Sequence, residues 1–295
     1  MLNLEDLAAL HEKHRQAAIR PVAEFEVGGR ALTFNTRPAI MGVINLSPDS
    51  WYRESVCLTT EAALRRARVL RAQGADMVDV GAESSLAQAA RVDGTGQKAR
   101  LMPVIETLAS EGIAVSVETY DLEVTRACLS AGASVLNLTG TDQSEGIFRL
   151  VAEHDAAVII CYVQGANVRE VGDFQSGNDP VDLMYEYFAW RIDQARGLGV
   201  EKIFIDPGMG FYYRNLQDSA VRVRHQMRIF LNSFRLRALG FPICHALPHA
   251  FEYFGEEVRS AEGFFAVLAA LGKTSLFRTH EVPRVKAVLD TLMAF

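Results

Sequence analysis

Residues 41–50 of the chain read MGVINLSPDS, an apolar run that ends in an Asn, a Ser-Pro turn and an acid. Oxygen-bearing side chains at the end of a strand, here Asn45 and Asp49, can bind a hard cation or a phosphate group. Pro48 stiffens the loop that presents them. A segment of this kind standing alone is more often an ordinary strand-to-turn junction. Its meaning therefore depends on whether the pattern recurs.

The same pattern recurs in four later segments, each an apolar run that ends on a polar residue. They are residues 76–84 (DMVDVGAES), 113–119 (IAVSVET), 134–139 (SVLNLT) and 203–208 (IFIDPG). In a parallel α/β barrel the catalytic residues come from the C-terminal ends of several strands. The recurrence therefore predicts an active site where these strands end.

Apolar segments alternate with segments of helical periodicity along most of the chain. Eight such pairs favour an α/β fold of the closed (β/α)8 TIM-barrel type over an open doubly wound sheet, although the count alone does not exclude the latter. Strands are predicted near residues 39–45, 76–80, 113–118, 134–138, 156–162, 202–206, 241–246 and 274–278. Helices are predicted near residues 60–73, 96–110, 121–131, 144–154, 179–198, 216–239, 258–271 and 282–294.

The N-terminal segment precedes this alternation. Residues 4–19 have apolar positions at helical spacing, and residues 25–34 read as a β-hairpin that turns on a Gly-Gly pair. We therefore expect a helix and a barrel-capping hairpin in residues 1–36 and one barrel domain in residues 37–295.

Composition limits the class of protein. With 295 residues, 49% hydrophobic residues and a mean hydropathy of +0.07, the chain can bury the core of one barrel. The net charge of −6 and the scattered Lys and Arg residues predict no nucleic-acid partner. No segment reaches ~18 uninterrupted apolar residues, so no membrane association is expected. The four cysteines form no C-x-x-C pair, which favours a reducing compartment and a soluble, cytoplasmic protein.

The strand-end segments together resemble the pterin-binding family that contains the dihydropteroate synthases. The most specific matches are NLSPDS at residues 45–50 and IDPGMGF at residues 205–211, and the resemblance extends over residues 25–290. It implies a TIM barrel whose lower end is closed by the hairpin. It also implies that a pterin or a reduced folate is the small-molecule partner, and that the protein is a homodimer.

The resemblance assigns residues at three strand ends to the pterin ring. Glu118, Asn137 and Asp206 match the family's Asp, Asn and Asp, which bind the aminopyrimidinone edge. A carboxylate can accept the parallel N–H donors of such an edge in bidentate fashion, and an amide supplies a donor and an acceptor beside it. Glu118 is one methylene longer than Asp, so the depth of the ring can differ. Each of these residues alone could equally be a turn or capping group.

A second set of residues matches the family's diphosphate site. Asn45 corresponds to the Asn that binds Mg²⁺, and Arg278 and His280 correspond to the Arg and His that bind the diphosphate of the substrate. An Arg fork and a His donor offset charge on a departing diphosphate. Without the resemblance, the same two residues would read as a surface Arg and a capping His. The resemblance thus implies Asp206, Asn137, Arg278 and His280 as catalytic residues, with further substrate contacts from Phe211, Gln164 and Ser85.

The chain departs from the family motifs at four places. A family S-R-K, a loop S-T-R-P, a D-G-G and a second loop Lys are replaced at residues 246–250 (ALPHA), 84–87 (SSLA), 51–55 (WYRES) and 211–214 (FYYR). His245 and His249 lie around the position of the missing Lys and could supply a replacement donor, although His residues near a strand end are more often packing or capping groups.

These losses fall on the loops that, in the family, surround p-aminobenzoate. The expected function is a transferase that displaces diphosphate from a dihydropterin diphosphate with an amine acceptor, which need not be p-aminobenzoate. One alternative is a methyltetrahydrofolate-dependent methyltransferase, a related branch that lacks the S-R-K Lys. Another is a non-catalytic paralogue that acts as a binding or regulatory protein.

Overall fold

The computed structural model describes residues 2–50, 52–86, 88–175, 177 and 179–295. At the N-terminus, two helices, α1 (Leu4–Lys13) and α2 (Arg15–Ile19), replace the single predicted helix because the chain leaves helical geometry at His14, where φ is −123°. A hairpin of β1 (Phe25–Val27) and β2 (Arg30–Leu32) follows, shorter than the one predicted. Its Gly-Gly turn has φ values of +56° and +77°, the left-handed region that favours glycine.

Eight parallel strands form the barrel predicted from the sequence. They are β3 (Ala39–Asn45), β4 (Met77–Gly81), β5 (Val115–Thr119), β6 (Val135–Leu138), β7 (Ala157–Cys161), β8 (Lys202–Asp206), β9 (Cys244–Ala246) and β10 (Leu276–Thr279). The strands are neighbours in chain order, and β10 pairs with β3. A parallel bridge between Ile205 and Ile243 joins β8 to the segment before β9 and closes the ring. The largest difference from prediction is at β9, which begins three residues later than expected because only residues 244–246 pair with β10.

The helices surround the barrel. They are α3 (Thr60–Ala72), α4 (Gly94–Ser110), α5 (Leu122–Ser130), α6 (Ser144–Glu153), α7 (Pro180–Gly197), α8 (Ser219–Asn232), α9 (Phe251–Phe254), α10 (Ala261–Leu271) and α11 (Val282–Met293). The predicted helix 216–239 ends early, because residues Ser233–Leu239 tighten into 3-10 geometry before Gly240, where φ is +84°. Short α9 was not predicted. No helix in the described part of the chain is long and apolar enough to cross a membrane.

Side chains on each strand alternate between two cores. In β5, Val115 and Val117 pack against the surrounding helices, whereas Ser116 and Glu118 point into the barrel. The lower barrel interior is apolar and is closed by the hairpin segment, where Phe25 and Phe34 stack edge-on against Phe204 at 5.0 and 5.3 Å. The inward-facing positions become polar toward the C-terminal ends of the strands. The strand period therefore places the polar strand ends on one face of the molecule.

Candidate active site

A cavity of about 450 Å³ opens at the C-terminal end of the barrel. Most of the residues predicted for the site line it: Asn45, Ser85, Glu118, Asn137, Asp206, Phe211, Arg278 and His280. Gln164 is the exception among the described residues. Its amide nitrogen donates to the hydroxyl of Tyr162 at 2.7 Å, and its amide oxygen accepts from the backbone N–H of Gln175 at 2.6 Å. Gln164 thus ties the loop after β7 together, and its contact with a ligand remains a prediction.

A set of polar side chains, which we name the charged bed, consists of four that line the cavity and of Asp79, which is buried beneath them: Asp79, Glu118, Asn137, Asp206 and Arg278. The Arg278 guanidinium donates from Nε to Asp79 Oδ2 at 2.7 Å and from Nη2 to Glu118 Oε2 at 2.6 Å. Asn137 Nδ2 donates to the same Asp79 oxygen at 3.1 Å. Hydrogen bonds within the protein therefore join Asp79, Glu118, Asn137 and Arg278 of the bed.

Asp79 was not predicted as a site residue. It is fully buried in the middle of β4, and its second oxygen accepts a hydrogen bond from Ser116 Oγ at 2.6 Å. A carboxylate inside an apolar strand must be paired, because an unpaired buried charge is strongly unfavourable. The acid in the run MVDVG was the available signal, but its partner Arg278 lies 199 residues away and could not be read from the sequence.

Arg278 occupies the site in a different way from that expected. Burial disfavours its charge, but Asp79 and Glu118 more than offset this, so its pKa lies above the ordinary value. The guanidinium that was predicted to bind a diphosphate is thus engaged by two carboxylates of the protein. A diphosphate has to compete with Glu118 for part of the fork.

The carboxyl groups of Glu118 and Asp206 have pKa values near neutral pH. Burial raises the pKa of Glu118 to about 7, and the negative charges of Asp79 and Asp206 add to this while Arg278 opposes it. Burial also raises the pKa of Asp206 to about 6, opposed by the backbone N–H of Gly208, which donates to Oδ1 at 2.7 Å. Both groups can therefore change protonation state in the neutral range when a ligand binds.

Asn45 is held by hydroxyl groups at the cavity edge. Its Nδ2 donates to Ser50 Oγ at 2.9 Å and to Ser55 Oγ at 2.7 Å, which fixes the orientation of the amide. The amide oxygen has no hydrogen-bond partner within the described ranges. A single fixed amide oxygen fits a hard cation that takes its other ligands from water and a bound phosphate.

A second group of side chains, which we name the histidine wall, consists of His249 and His280, which line the cavity, and the buried Glu262 beside them, around the ring of Tyr52. The Tyr52 ring stacks on His280 at 4.4 Å between centroids and lies 4.8 Å from His249. Burial lowers the pKa of His249 to about 4 and that of His280 well below its ordinary value. The lowered pKa favours the neutral imidazole of His280, which has one N–H donor.

The two histidines around the missing Lys have different positions. His245 lies on the outer face of β9, where its ring packs 4.7 Å from Phe230 in the fully buried core. His245 is not among the described residues that line the cavity. Of the two roles that the sequence allowed, a donor at the site or a packing group, it has the second. His249 lines the cavity beside His280, 5.4 Å between ring centroids. Only His249 is placed to contact a ligand there.

The loop after β4 lacks the family's Arg but has support from another segment. Arg169, which lies in the loop after β7, donates to the carbonyl oxygen of Ser84 at 2.6 Å and to that of Ala89 at 2.5 Å. Its guanidinium lies 3.7 Å from Glu83. Arg169 thus positions the loop that contains Ser85, whereas Ala87 of the predicted departure lies outside the described residues.

Comparison with known proteins agrees with this geometry. Residues 41–240 match the family described as pterin binding enzyme. A dihydropteroate synthase of Streptococcus pyogenes is 31% identical over 287 residues, which cover 92% of this chain and 99% of that one. The structure of Burkholderia cenocepacia dihydropteroate synthase complexed with 7,8-dihydropteroate superposes with a TM-score of 0.78 and 26% identity over 94% of this chain and 97% of that one.

A third relative is also a dihydropteroate synthase with the same fold. The Xanthomonas albilineans dihydropteroate synthase with 4-aminobenzoic acid has a TM-score of 0.76 and 28% identity, covering 92% of this chain and 98% of that chain. The family match spans more than half of the sequence, and the eight-stranded barrel and its strand-end motifs agree with it. The chain therefore belongs to the pterin-binding enzyme family.

Proposed function

We propose that this protein is a dihydropteroate synthase-like transferase that binds a dihydropterin diphosphate and replaces the diphosphate with an amine. The observation that carries the proposal is the convergence of Glu118, Asn137 and Asp206 on one cavity in a chain of this family. The relatives named above are dihydropteroate synthases, and one was solved with 7,8-dihydropteroate. A pterin is therefore the ligand class that the cavity supports best.

The ring would bind through complementary hydrogen bonds. The N–C–N edge of an aminopyrimidinone presents parallel N–H donors that the Asp206 carboxylate accepts. Among the described residues, the amide oxygen of Asn137 accepts from the weak thiol donor of Cys161 at 3.5 Å, which leaves it able to accept from the ring amino group. The Asn137 amide is held in this orientation by Asp79.

The diphosphate would lie between Asn45, Arg278 and His280, which all line the same cavity. Departure of the diphosphate breaks a C–O bond, and the electron pair of that bond stays on the diphosphate. The lone pair of the amine then forms the C–N bond, and the amine nitrogen loses a proton to water. Arg278 contributes positive charge, and His280 one N–H donor. Mg²⁺, if held by the Asn45 amide oxygen, supplies further charge to the leaving group.

The acceptor is proposed to differ from p-aminobenzoate. The loops that surround it in the family lack their Arg and Pro here, and the cavity edge instead has an ion pair between Arg222 and Glu252 at 2.9 Å. A loop built from Ser84, Ser85 and Leu86 offers no positive charge to a benzoate carboxylate. An uncharged arylamine is therefore a better match than a carboxylated one.

A second candidate is a pterin-binding protein without turnover. The engagement of Arg278 by Asp79 and Glu118 favours it, because two carboxyl groups of the protein accept from the Nε and Nη2 donors that a diphosphate would need. The absence of a Lys in residues 246–250 points the same way.

The test is an assay of diphosphate release from 6-hydroxymethyl-7,8-dihydropterin diphosphate at saturating Mg²⁺, with p-aminobenzoate, with uncharged arylamines and without an amine. We expect turnover with p-aminobenzoate ~10²–10³ slower than for the Streptococcus pyogenes relative, since preorganised charged donors are missing. Binding of the pterin diphosphate without release for any amine would establish the second candidate. Absence of binding would contradict both.

A further inference from the structure

The histidine wall brings together three side chains that can ligate a metal ion. The ligating atoms of His249, Glu262 and His280 all lie within 4.8 Å of one another. They come from separate segments: the loop after β9, the first turn of α10 and the residue after β10. The barrel closure, rather than local sequence, therefore assembles the cluster.

Glu262 is held as a rigid ligand. Its side chain is fully buried, and its Oε2 accepts hydrogen bonds from the backbone N–H groups of His280 at 3.1 Å and Glu281 at 3.2 Å, and from the Thr279 hydroxyl. Its other oxygen, Oε1, lies 3.3 Å from His249 Nε2. In metal sites, the ligating carboxylates are commonly held in one orientation by hydrogen bonds of this kind from the surrounding protein.

The two imidazoles are also fixed in place. The Tyr52 ring stacks on His280 at an interplanar angle of 26°, and His249 stacks on Phe251 with a centroid separation of 5.8 Å. Nδ1 of His280 is buried and has no hydrogen-bond partner among the described residues. A buried polar atom of this kind normally has a partner, so the atom points to a group that completes the site.

We propose that His249, Glu262 and His280 bind one divalent transition-metal ion of the Zn²⁺ type. Two imidazole nitrogens and one carboxylate oxygen, with a fourth position open, form a ligand set of catalytic zinc sites. The same set is poorly suited to Mg²⁺, which takes oxygen ligands in octahedral geometry. The site is thus chemically different from the Asn45 amide oxygen.

The open position faces the cavity, because His249 and His280 both line it. An anionic oxygen of the ligand would occupy that position, so the ion would supply the positive charge that residues 246–250, which contain no Lys, do not. This role rests on the proposed function, whereas the metal site itself does not.

The test is titration of Zn²⁺ into the full-length, chelator-treated protein without any pterin, by calorimetry, with Co²⁺ absorption as a second readout. We expect about one ion per chain, and in His249→Gln and in Glu262→Gln a loss of affinity larger than the ~10–100-fold that loss of a hydrogen-bonding partner behind a ligand causes. His225→Gln is the control, because its ring packs 4.5 Å from Phe174 and is not part of the cluster. The visible bands of tetrahedral Co²⁺ should be lost in His249→Gln and kept in His225→Gln.

Circular dichroism and thermal unfolding of each variant show whether the fold is kept. Failure of the wild-type protein to bind Zn²⁺, or equal affinity in wild type and His249→Gln, would overturn the metal site and leave His249 and Glu262 as two neighbouring polar side chains, 3.3 Å apart. The Asp206→Asn variant separates this outcome from the proposed function. It should bind Zn²⁺ as the wild type does, whatever the outcome of pterin binding.

Discussion

The charged bed and the histidine wall border the same cavity but differ in how their polar groups are satisfied. In the bed, Asp79 accepts from Arg278, Asn137 and Ser116, and Arg278 also donates to Glu118. In the wall, Nδ1 of His280 is buried without a partner in the described structure. The bed corresponds to strand-end motifs shared with the family. His249, in contrast, lies near the position at which the family has a Lys that this chain lacks.

This difference teaches that the two regions meet a ligand in different ways. Groups of the bed have to exchange protein partners for ligand partners, so binding there is a competition. In the wall, Nδ1 of His280 can gain a partner without losing one that the described residues supply. Substitutions in the bed should therefore lower the stability of the protein as well as its affinity for the ligand. Conservative substitutions in the wall should mainly lower the affinity for the proposed metal ion.

The largest expected effect is on stability, in Asp79→Ala. The change leaves the partly buried Arg278 with Glu118 as its remaining ion-pair partner and removes the acceptor of Ser116 and Asn137. We expect the free energy of unfolding to fall by ~3–5 kcal/mol, as when one partner of a buried ion pair is removed. Urea denaturation measures it. The exposed pair of Glu145 and Arg149, at 2.6 Å, gives the control, because Glu145→Ala should cost less than about 1 kcal/mol.

The second effect is a pH dependence of pterin binding. The pKa of Asp206 in the ligand-free protein is raised to about 6, and only the ionised carboxylate accepts both N–H donors of the ring. Affinity should therefore increase as the pH rises through that value, and each pH unit below it should cost up to about tenfold, or 1.4 kcal/mol. Calorimetry between pH 5 and 8 checks this. A constant affinity across that range would show that Asp206 does not accept from the ring.

The smallest effect concerns competition for Arg278. Glu118→Asp shortens the side chain by one methylene and withdraws the carboxylate from Nη2, which it now approaches to 2.6 Å. Binding of inorganic diphosphate should tighten by ~3–10-fold, within the range of one hydrogen bond to a charged group. The control is Glu111→Asp, whose carboxylate pairs with Arg68 at 2.5 Å outside the cavity. Unchanged or weaker diphosphate binding in Glu118→Asp would contradict the competition.

Much of the bed could be predicted from the sequence because it depends on local patterns. Apolar runs of strand length marked the eight strands, and the polar residue at the end of each run marked Glu118, Asn137 and Asp206 as neighbours. The parallel register places Glu118 directly beside Asn137. Strand-end position predicted that these residues share one face, and the resemblance to the pterin-binding family was needed to assign them to a ring.

The sequence did not predict that the three residues of the wall come together or that Arg278 pairs with two carboxyl groups, because both depend on register and on contacts across the barrel. His245 was a candidate ligand group until the pairing of His245 with Phe277 placed it on the outer face. Glu262 lies inside a helix, and no pattern in the sequence relates it to His249. The orientation of Gln164 depends on Gln175, whose place in the loop has no periodic signal.

The central claim is that Asp206 binds a pterin ring in this cavity, and calorimetric titration of 6-hydroxymethyl-7,8-dihydropterin tests it most directly. The measurement compares wild type with Asp206→Asn at pH 7.5, with Asp193→Asn, an exposed carboxylate on α7, as the control. We expect Asp206→Asn to weaken binding by ~1–3 kcal/mol, because buried N–H donors of the ring lose an acceptor, and Asp193→Asn to leave it unchanged. Equal affinity in all three proteins would contradict the account.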